Sequence, residues 1–268
     1  MSIHRRNNIR VTGRPSGRTV VLAHGFGCDQ NMWRLVEPAL ARENRVVLFD
    51  YVGAGRSDLS AWQEERYSSL HGYARDVVEV CEELDLRDAV FVGHSVSAMA
   101  GVLAQAEAPE RIGSLVMVCP SPCYIDDEGY RGGFTEQDID ELLESLESNY
   151  LGWSVAMAPV IMGNPDRPEL GQELTNSFCA TDPDIARVFA RTTFLSDSRK
   201  DLAGVSVPTL ILECEHDAIA PREVGAYVHS VIPGSELVTL AATGHCPQLS
   251  APEATASAIS AFVSGLGR

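Results

Sequence analysis

A serine, an aspartate and a histidine stand where they could act on one another. Ser95 lies in Val90-Phe91-Val92-Gly93-His94-Ser95-Val96-Ser97-Ala98-Met99, an apolar run, a glycine, and small residues opening a helical pattern. A strand that turns abruptly into a helix lifts its serine out of the sheet, where the hydroxyl can attack. Ser97 replaces the last glycine of the G-x-S-x-G pattern, a mild deviation because that position must only be small. The pentapeptide alone is weak evidence, since many chains carry one by chance. A serine hydroxyl needs an imidazole to take its proton, and the imidazole needs a carboxylate to fix its tautomer and stabilise its cation. Asp217 follows the apolar run Leu210–Cys214, and His245 follows Leu237–Leu240 in Gly244-His245-Cys246-Pro247. Catalytic groups of an open α/β sheet belong in such loops, at the carboxyl ends of strands. The ordered set Ser95, Asp217, His245 is far more specific than the turn alone.

Each residue has rivals. Glu213 and Glu215 flank Asp217, but Glu213 falls in or at the end of the strand and Glu215 is too close to the sheet to reach out. His24 and His94 sit beside glycines and are expected to support loops, and His216 to be exposed. Consecutive residues in the short Glu213–Asp217 loop converge poorly on one ion, so no metal site is expected. Acyl transfer needs donors for the developing oxyanion. The backbone N–H of Val96 and that of Phe26, in His24-Gly25-Phe26-Gly27, are placed to supply them. As nucleotide motifs the glycines fail: the third position of G-x-G-x-x-G is Asp58 after Gly53-Ala54-Gly55 and Gln30 after Gly25-Phe26-Gly27.

The elements that must hold these residues alternate. Apolar strands are expected at 18–23, 46–50, 89–92, 115–119, 207–214 and 237–240. Helical periodicity fills 70–84, 98–106, 222–231 and 253–263. Continuous apolar strands between helices indicate a parallel sheet covered on both faces, an α/β fold. From Ser121 to about Gly204 no buried strand is predicted, only helices over 136–147, 153–162, 167–178 and 184–194. A segment this long cannot be a plain loop. It reads as a helical cap over 121–204, inserted in a core made of 1–120 and 205–268.

Composition narrows the function classes. The chain has 268 residues, 45% hydrophobic and 22% charged, with a formal charge of −16. That balance argues against nucleic acid and anionic membranes. No run approaches the roughly 18 apolar residues of a membrane span, and the basic start Met1–Arg6 leads into no signal-like apolar stretch. Seven scattered cysteines fit free thiols in a reducing, cytoplasmic setting. A single lysine, Lys200, gives the sequence a bacterial cast.

The chain resembles the RsbQ-type α/β-hydrolases, which include the bacterial stress regulator and the plant karrikin and strigolactone receptors. The resemblance is carried by His24–Gly27 with Asp29–Trp33, Asp50–Gly55, Gly93–Met99, Pro120–Tyr124, Asn149–Trp153, Phe178–Pro183 and Gly244–Pro247. It spans nearly the whole chain, and the motifs between 120 and 183 are more specific than the triad. The resemblance implies an α/β-hydrolase fold with eight mostly parallel strands and an inserted four-helix cap over an apolar pocket. It implies Phe26, Phe134, Trp153 and Phe194 as pocket residues, with Met157, Phe189, Val96 and Cys246 beside them. Met157 and Leu174 stand where the plant receptors have aromatics.

The leading expectation is a serine hydrolase of a small hydrophobic ester or butenolide-like lactone, needing no cofactor. The alternative is a ligand sensor. The resemblance then implies a PAS-domain phosphatase of the PP2C type as partner. The acidic stretch Glu136–Glu144 reads either as a solvated helix or as an interaction face. Ser95 excludes chemistry that needs an aspartate nucleophile at the elbow. Haloperoxidase-type and C–C hydrolase chemistry, which use the same triad, stay open.

Overall fold

The computed structural model describes residues 2–267. Seven strands form one sheet: β1 (Arg10–Gly13), β2 (Thr19–Ala23), β3 (Arg45–Leu48), β4 (Ala89–His94), β5 (Ile112–Val118), β6 (Thr209–His216) and β7 (Glu236–Thr243). Their order is β1-β3-β2-β4-β5-β6-β7. β1 runs antiparallel to β3, and every other pairing is parallel. Side chains alternate along each strand. Val20, Leu22, Val90, Val92, Leu210 and Leu212 therefore enter one core, and Val21, Ala23, Phe91, Met117 and Ile211 the other. Helices α1 (Leu70–Glu83), α2 (Val96–Glu107) and α7 (Arg222–Val231) cover the second face, while α8 (Pro252–Gly265) packs on the first.

Between β5 and β6 no strand joins the sheet. Four long helices follow instead, α3 (Glu136–Ser148), α4 (Tyr150–Met162), α5 (Pro168–Cys179) and α6 (Pro183–Phe194), and then a single helical turn, Arg199–Leu202. Their starts are legible in local chemistry. Thr135 and Asp138 form a capping box on α3, Asn149 accepts from Gly152 N–H to start α4, and Asp182 caps α6 ahead of Pro183. The Asn149 cap explains why α4 begins before the expected Trp153. The segment is tied to loops at the carboxyl ends of the strands. Ser177 Oγ donates to Gly27 O at 2.8 Å, Asn164 Nδ2 to Thr243 O at 2.8 Å, and His245 N to Ile161 O at 2.9 Å.

The described residues give seven strands where the resemblance implied eight. Residues ahead of β1 form a helical turn, Ile3–Arg6, rather than an added edge strand. The turn is anchored by Arg6, whose guanidinium pairs with Asp76 and Glu79 on α1. β1 itself was not anticipated, because Arg10-Val11-Thr12-Gly13 has no apolar run and lies mostly exposed at the sheet edge. No helix among the described residues is long and apolar enough to cross a membrane.

Candidate active site

Ser95 sits between β4 and α2 with φ 56° and ψ −127°. A non-glycine residue in this region costs about 1–3 kcal/mol, strain the surroundings must hold in place. Ser95 N–H donates to Val118 O at 2.8 Å, so the turn hangs on the neighbouring strand. Gly93 is obligatory, since a Cβ there would lie 2.5 Å from the Ser97 backbone. The Ser97 hydroxyl donates to His24 O and accepts from Tyr51 O–H at 3.1 Å, joining the elbow to the end of β2.

Strand register brings the distant residues together. Ala23 pairs with Gly93, His94 with Val118, and His216 with Thr243, so the loops carrying Phe26, Ser95, Asp217 and His245 leave one sheet edge. His245 Nε2 lies 2.8 Å from Ser95 Oγ, and His245 Nδ1 lies 2.8 Å from Asp217 Oδ2. The Asp217 side chain is fully buried. Its other oxygen accepts from Ile219 N–H at 2.8 Å and Ala220 N–H at 3.2 Å. Burial pushes the Asp217 carboxyl up, but the His245 imidazole and these N–H donors outweigh it and hold it below the usual carboxylate range. An ionised Asp217 requires the proton on His245 Nδ1, leaving Nε2 free to accept from Ser95.

The neighbouring histidines do different work. Tyr51 N–H donates to His24 Nε2 at 3.2 Å, so His24 Nδ1 carries the proton and donates to Gly25 O at 2.9 Å. Burial, then His245, pushes His94 down to about 3, so it is neutral near pH 7. Its Nε2–H donates to His245 O at 2.8 Å, which seats the His245 loop. Both histidines are loop supports, as expected.

Neither Phe26 N–H nor Val96 N–H has a hydrogen-bond partner among the described residues. A cavity of about 30 Å³ adjoins Ser95 and His245. Phe26, Ile161, Leu174, Phe178, Phe194 and Ile219 give it apolar walls. The Tyr124 hydroxyl also lines it, 3.5 Å from Ser95 Oγ, and burial pushes that phenol up to about 12, so it keeps its proton.

A sequence profile described as "Alpha/beta hydrolase family" matches residues 20–258. The chain belongs to the alpha/beta hydrolase family. It is 40% identical over 248 residues to the Karrikin insensitive 2 receptor CA of Petunia hybrida, covering 92% of each chain. It is 36% identical over 247 residues to the strigolactone esterase RMS3 of Pisum sativum, covering 91% of this chain and 92% of that one. The solved structure of a hydrolase from Oleispira antarctica superposes with a TM-score of 0.96 at 43% identity, covering 98% of this chain and 97% of that one.

In this alpha/beta hydrolase the expected pocket residues divide. Phe26, Phe194 and Cys246 line the cavity. Trp153 and Phe189 do not; their rings back Phe26 at 6.2 and 5.5 Å. Phe134 and Met157 also lie elsewhere, on an outer groove between α3 and α4. The reason is Trp153, which borders that groove, stacks on Phe178 at 5.6 Å, and so stands between the two spaces. Tyr124, Phe178, Leu174 and Thr193 were not assigned to the pocket from the sequence. Tyr124 had one usable signal, its place just beyond the end of β5.

Glu213 turns away from His245, accepting from Thr239 at 2.7 Å and Arg222 at 3.2 Å, and Glu215 and His216 are exposed. The one potential metal cluster among the described residues is Cys119, Asp217 and His245, with ligand atoms within 4.8 Å of one another. It fits a metal poorly. The hydrogen bond to Cys214, then burial, pushes the Cys119 thiol well up, while the two other ligand atoms already bond each other.

Proposed function

We propose that this protein is a serine hydrolase that cleaves small, hydrophobic esters or lactones through an acyl-enzyme. The observation that carries the reading is the unbroken 2.8 Å relay from Asp217 through His245 to the strained Ser95 hydroxyl. Ser95 Oγ forms a bond to the substrate carbonyl carbon while its proton passes to His245 Nε2. The negative charge that develops on the carbonyl oxygen is held by the Phe26 and Val96 N–H groups. Collapse expels the alkoxide, which takes the proton from His245. Water then attacks the acyl-enzyme, giving its proton to His245 and returning Ser95 to its hydroxyl form. A lactone follows the same path, its alkoxide staying tethered to the acyl group. The residues supply every proton transfer, so no cofactor is needed.

The apolar walls select a hydrophobic substrate, and α3–α6 serve as its cap. With Ser95→Ala, turnover of 4-nitrophenyl acetate should fall by at least about a thousandfold, and a phosphonate probe that adds its mass to the wild type should leave the variant untouched. Retained turnover in Ser95→Ala would end the proposal.

A ligand-sensing role is the second reading, favoured by the apolar cavity beside Ser95 and by the relatives named as receptors. A PAS-domain phosphatase is the partner to try first. Ligand-dependent co-purification with it supports the reading, and binding indifferent to ligand counts against it.

A further inference from the structure

Thr193 is a buried threonine whose hydroxyl has no hydrogen-bond partner, although only 1% of the residue is exposed. Comparable hydroxyls nearby are all satisfied. Thr192 Oγ1 donates to Tyr67 O at 3.0 Å, Thr175 Oγ1 to Gly171 O at 2.9 Å, and Ser154 Oγ to Tyr150 O at 2.8 Å. A helical threonine ordinarily returns its hydroxyl to the carbonyl four residues back. For Thr193 that carbonyl belongs to Phe189, and the bond is not made. Thr193 instead borders the cavity that holds Ser95 and His245.

We propose that the Thr193 hydroxyl is a second polar anchor of the active site, binding an oxygen of the substrate other than those of the scissile ester. The assignment rests on the Ser95 hydrolase reading and narrows its substrate class. The substrate is an ester or lactone whose apolar body carries one further ether, hydroxyl or keto oxygen. Three features support this. A buried polar group in a folded protein is nearly always paired, so an orphan in a binding cavity points to a ligand. The other walls in reach of α6 are Phe26, Ile161, Leu174 and Phe178, none of which offers a side-chain hydrogen bond. Besides the weakly donating thiols of Cys28 and Cys246, the remaining side-chain groups that could bond a substrate oxygen, those of Ser95, His245 and Tyr124, gather around Ser95. A hydroxyl can both donate and accept, so Thr193 fits an ether or keto oxygen as donor and a substrate hydroxyl as either. An all-carbon chain in the same place leaves it desolvated and unpaired.

The test compares near-isosteric ester pairs differing by one oxygen. The 4-nitrophenyl esters of methoxyacetate and butyrate, 3-methoxypropionate and valerate, and 4-methoxybutyrate and hexanoate place the ether at three distances from the carbonyl. For each pair the ratio of kcat/KM, ether over alkyl, is measured in the wild type, Thr193→Val and Thr193→Ser. A general loss of folding or activity cancels in the ratio. The expected result is that the ratio for at least one pair drops about tenfold in Thr193→Val, as loss of one buried hydrogen bond implies, and that Thr193→Ser restores it. The same pairs are titrated by intrinsic tryptophan fluorescence against Ser95→Ala and Ser95→Ala/Thr193→Val. If the wild type cleaves none of the esters, the hydrolase reading fails, while the Kd ratios still decide the role of Thr193. Ratios that move less than twofold in every pair, or no binding of any ester at millimolar concentration, overturn the assignment.

Discussion

His94 shows how a residue beside the proposed nucleophile can shape the site without a direct role in the chemistry. Its imidazole is buried and neutral, with Nε2–H committed to His245 O and Nδ1 facing no donor. Gly25 must lack a Cβ to lie against it, because one would fall 2.6 Å from Nδ1. The folded pKa of about 3 stands below the ordinary histidine value of about 6.5, so the unfolded chain takes up a proton that the native state refuses. The sign follows: the native state is favoured fully above about pH 6.5, and His94 removes stability as pH falls from there towards 3, by up to about 1.4 kcal/mol per pH unit. His94→Gln loses the fitted ring and is expected to be less stable at pH 7.5 by about 1–3 kcal/mol. Urea midpoints at pH 7.5, 6 and 5 should show that deficit narrowing with acidity. A deficit constant across the three would mean that His94 titrates in the native state as it does unfolded.

The elbow is an element held from two sides. Ser97 bridges the end of β2 and the start of α2, so the loop carrying Phe26 and the helix carrying Val96 share one hydroxyl. Ser97→Ala strands the His24 carbonyl and the Tyr51 hydroxyl in a buried setting. The expected cost is about 1–3 kcal/mol, with kcat for short esters falling while KM moves little, because the N–H groups proposed to hold the oxyanion shift. Unaltered thermal midpoint and kcat would remove Ser97 from this role. Elements of this kind were legible before any coordinates: apolar runs followed by glycine-rich turns mark where strands end, and residue type says which turns carry chemistry. The helices between Val118 and Thr209 were legible too, from periodicity and from Asn-Pro and Asp-Pro steps. The direction each helix faces was not. Thr192 and Thr193 are adjacent, yet one caps the Tyr67 carbonyl and the other turns to the cavity. Met157 shares a helix face with Trp153 by spacing, but the indole itself separates Met157 from the Ser95 cavity. Periodicity fixes a face; only tertiary packing decides what it meets.

For the whole molecule the question is how a substrate enters. A cavity of about 30 Å³ holds about two water molecules, far below the 300 Å³ or more of a typical ligand site. Phe26 fills the rest, with Phe178, Phe189, Phe194 and Trp153 around it at centroid distances of 5.5 to 6.2 Å. Room for an ester is expected to come from α3–α6 parting from the sheet, which would break the ties between them. Arg34, beyond β2, makes a two-pronged ion pair with Glu173 on α5, and both side chains are partly exposed. Exposed pairs contribute about 0.2–1 kcal/mol and are screened by salt. Glu173→Gln should therefore raise kcat/KM for a bulky aryl ester by about two- to fivefold relative to an acetate ester. In the wild type 1 M NaCl should produce the same change, and in the variant it should add nothing. The variant leaves the Ser177 tie to Gly27 O intact, so the effect isolates one latch. Should neither the substitution nor salt alter the bulky-to-small ratio, substrate must enter without separating α5 from the Arg34 loop, and the outer groove beside Trp153 becomes the route to test next.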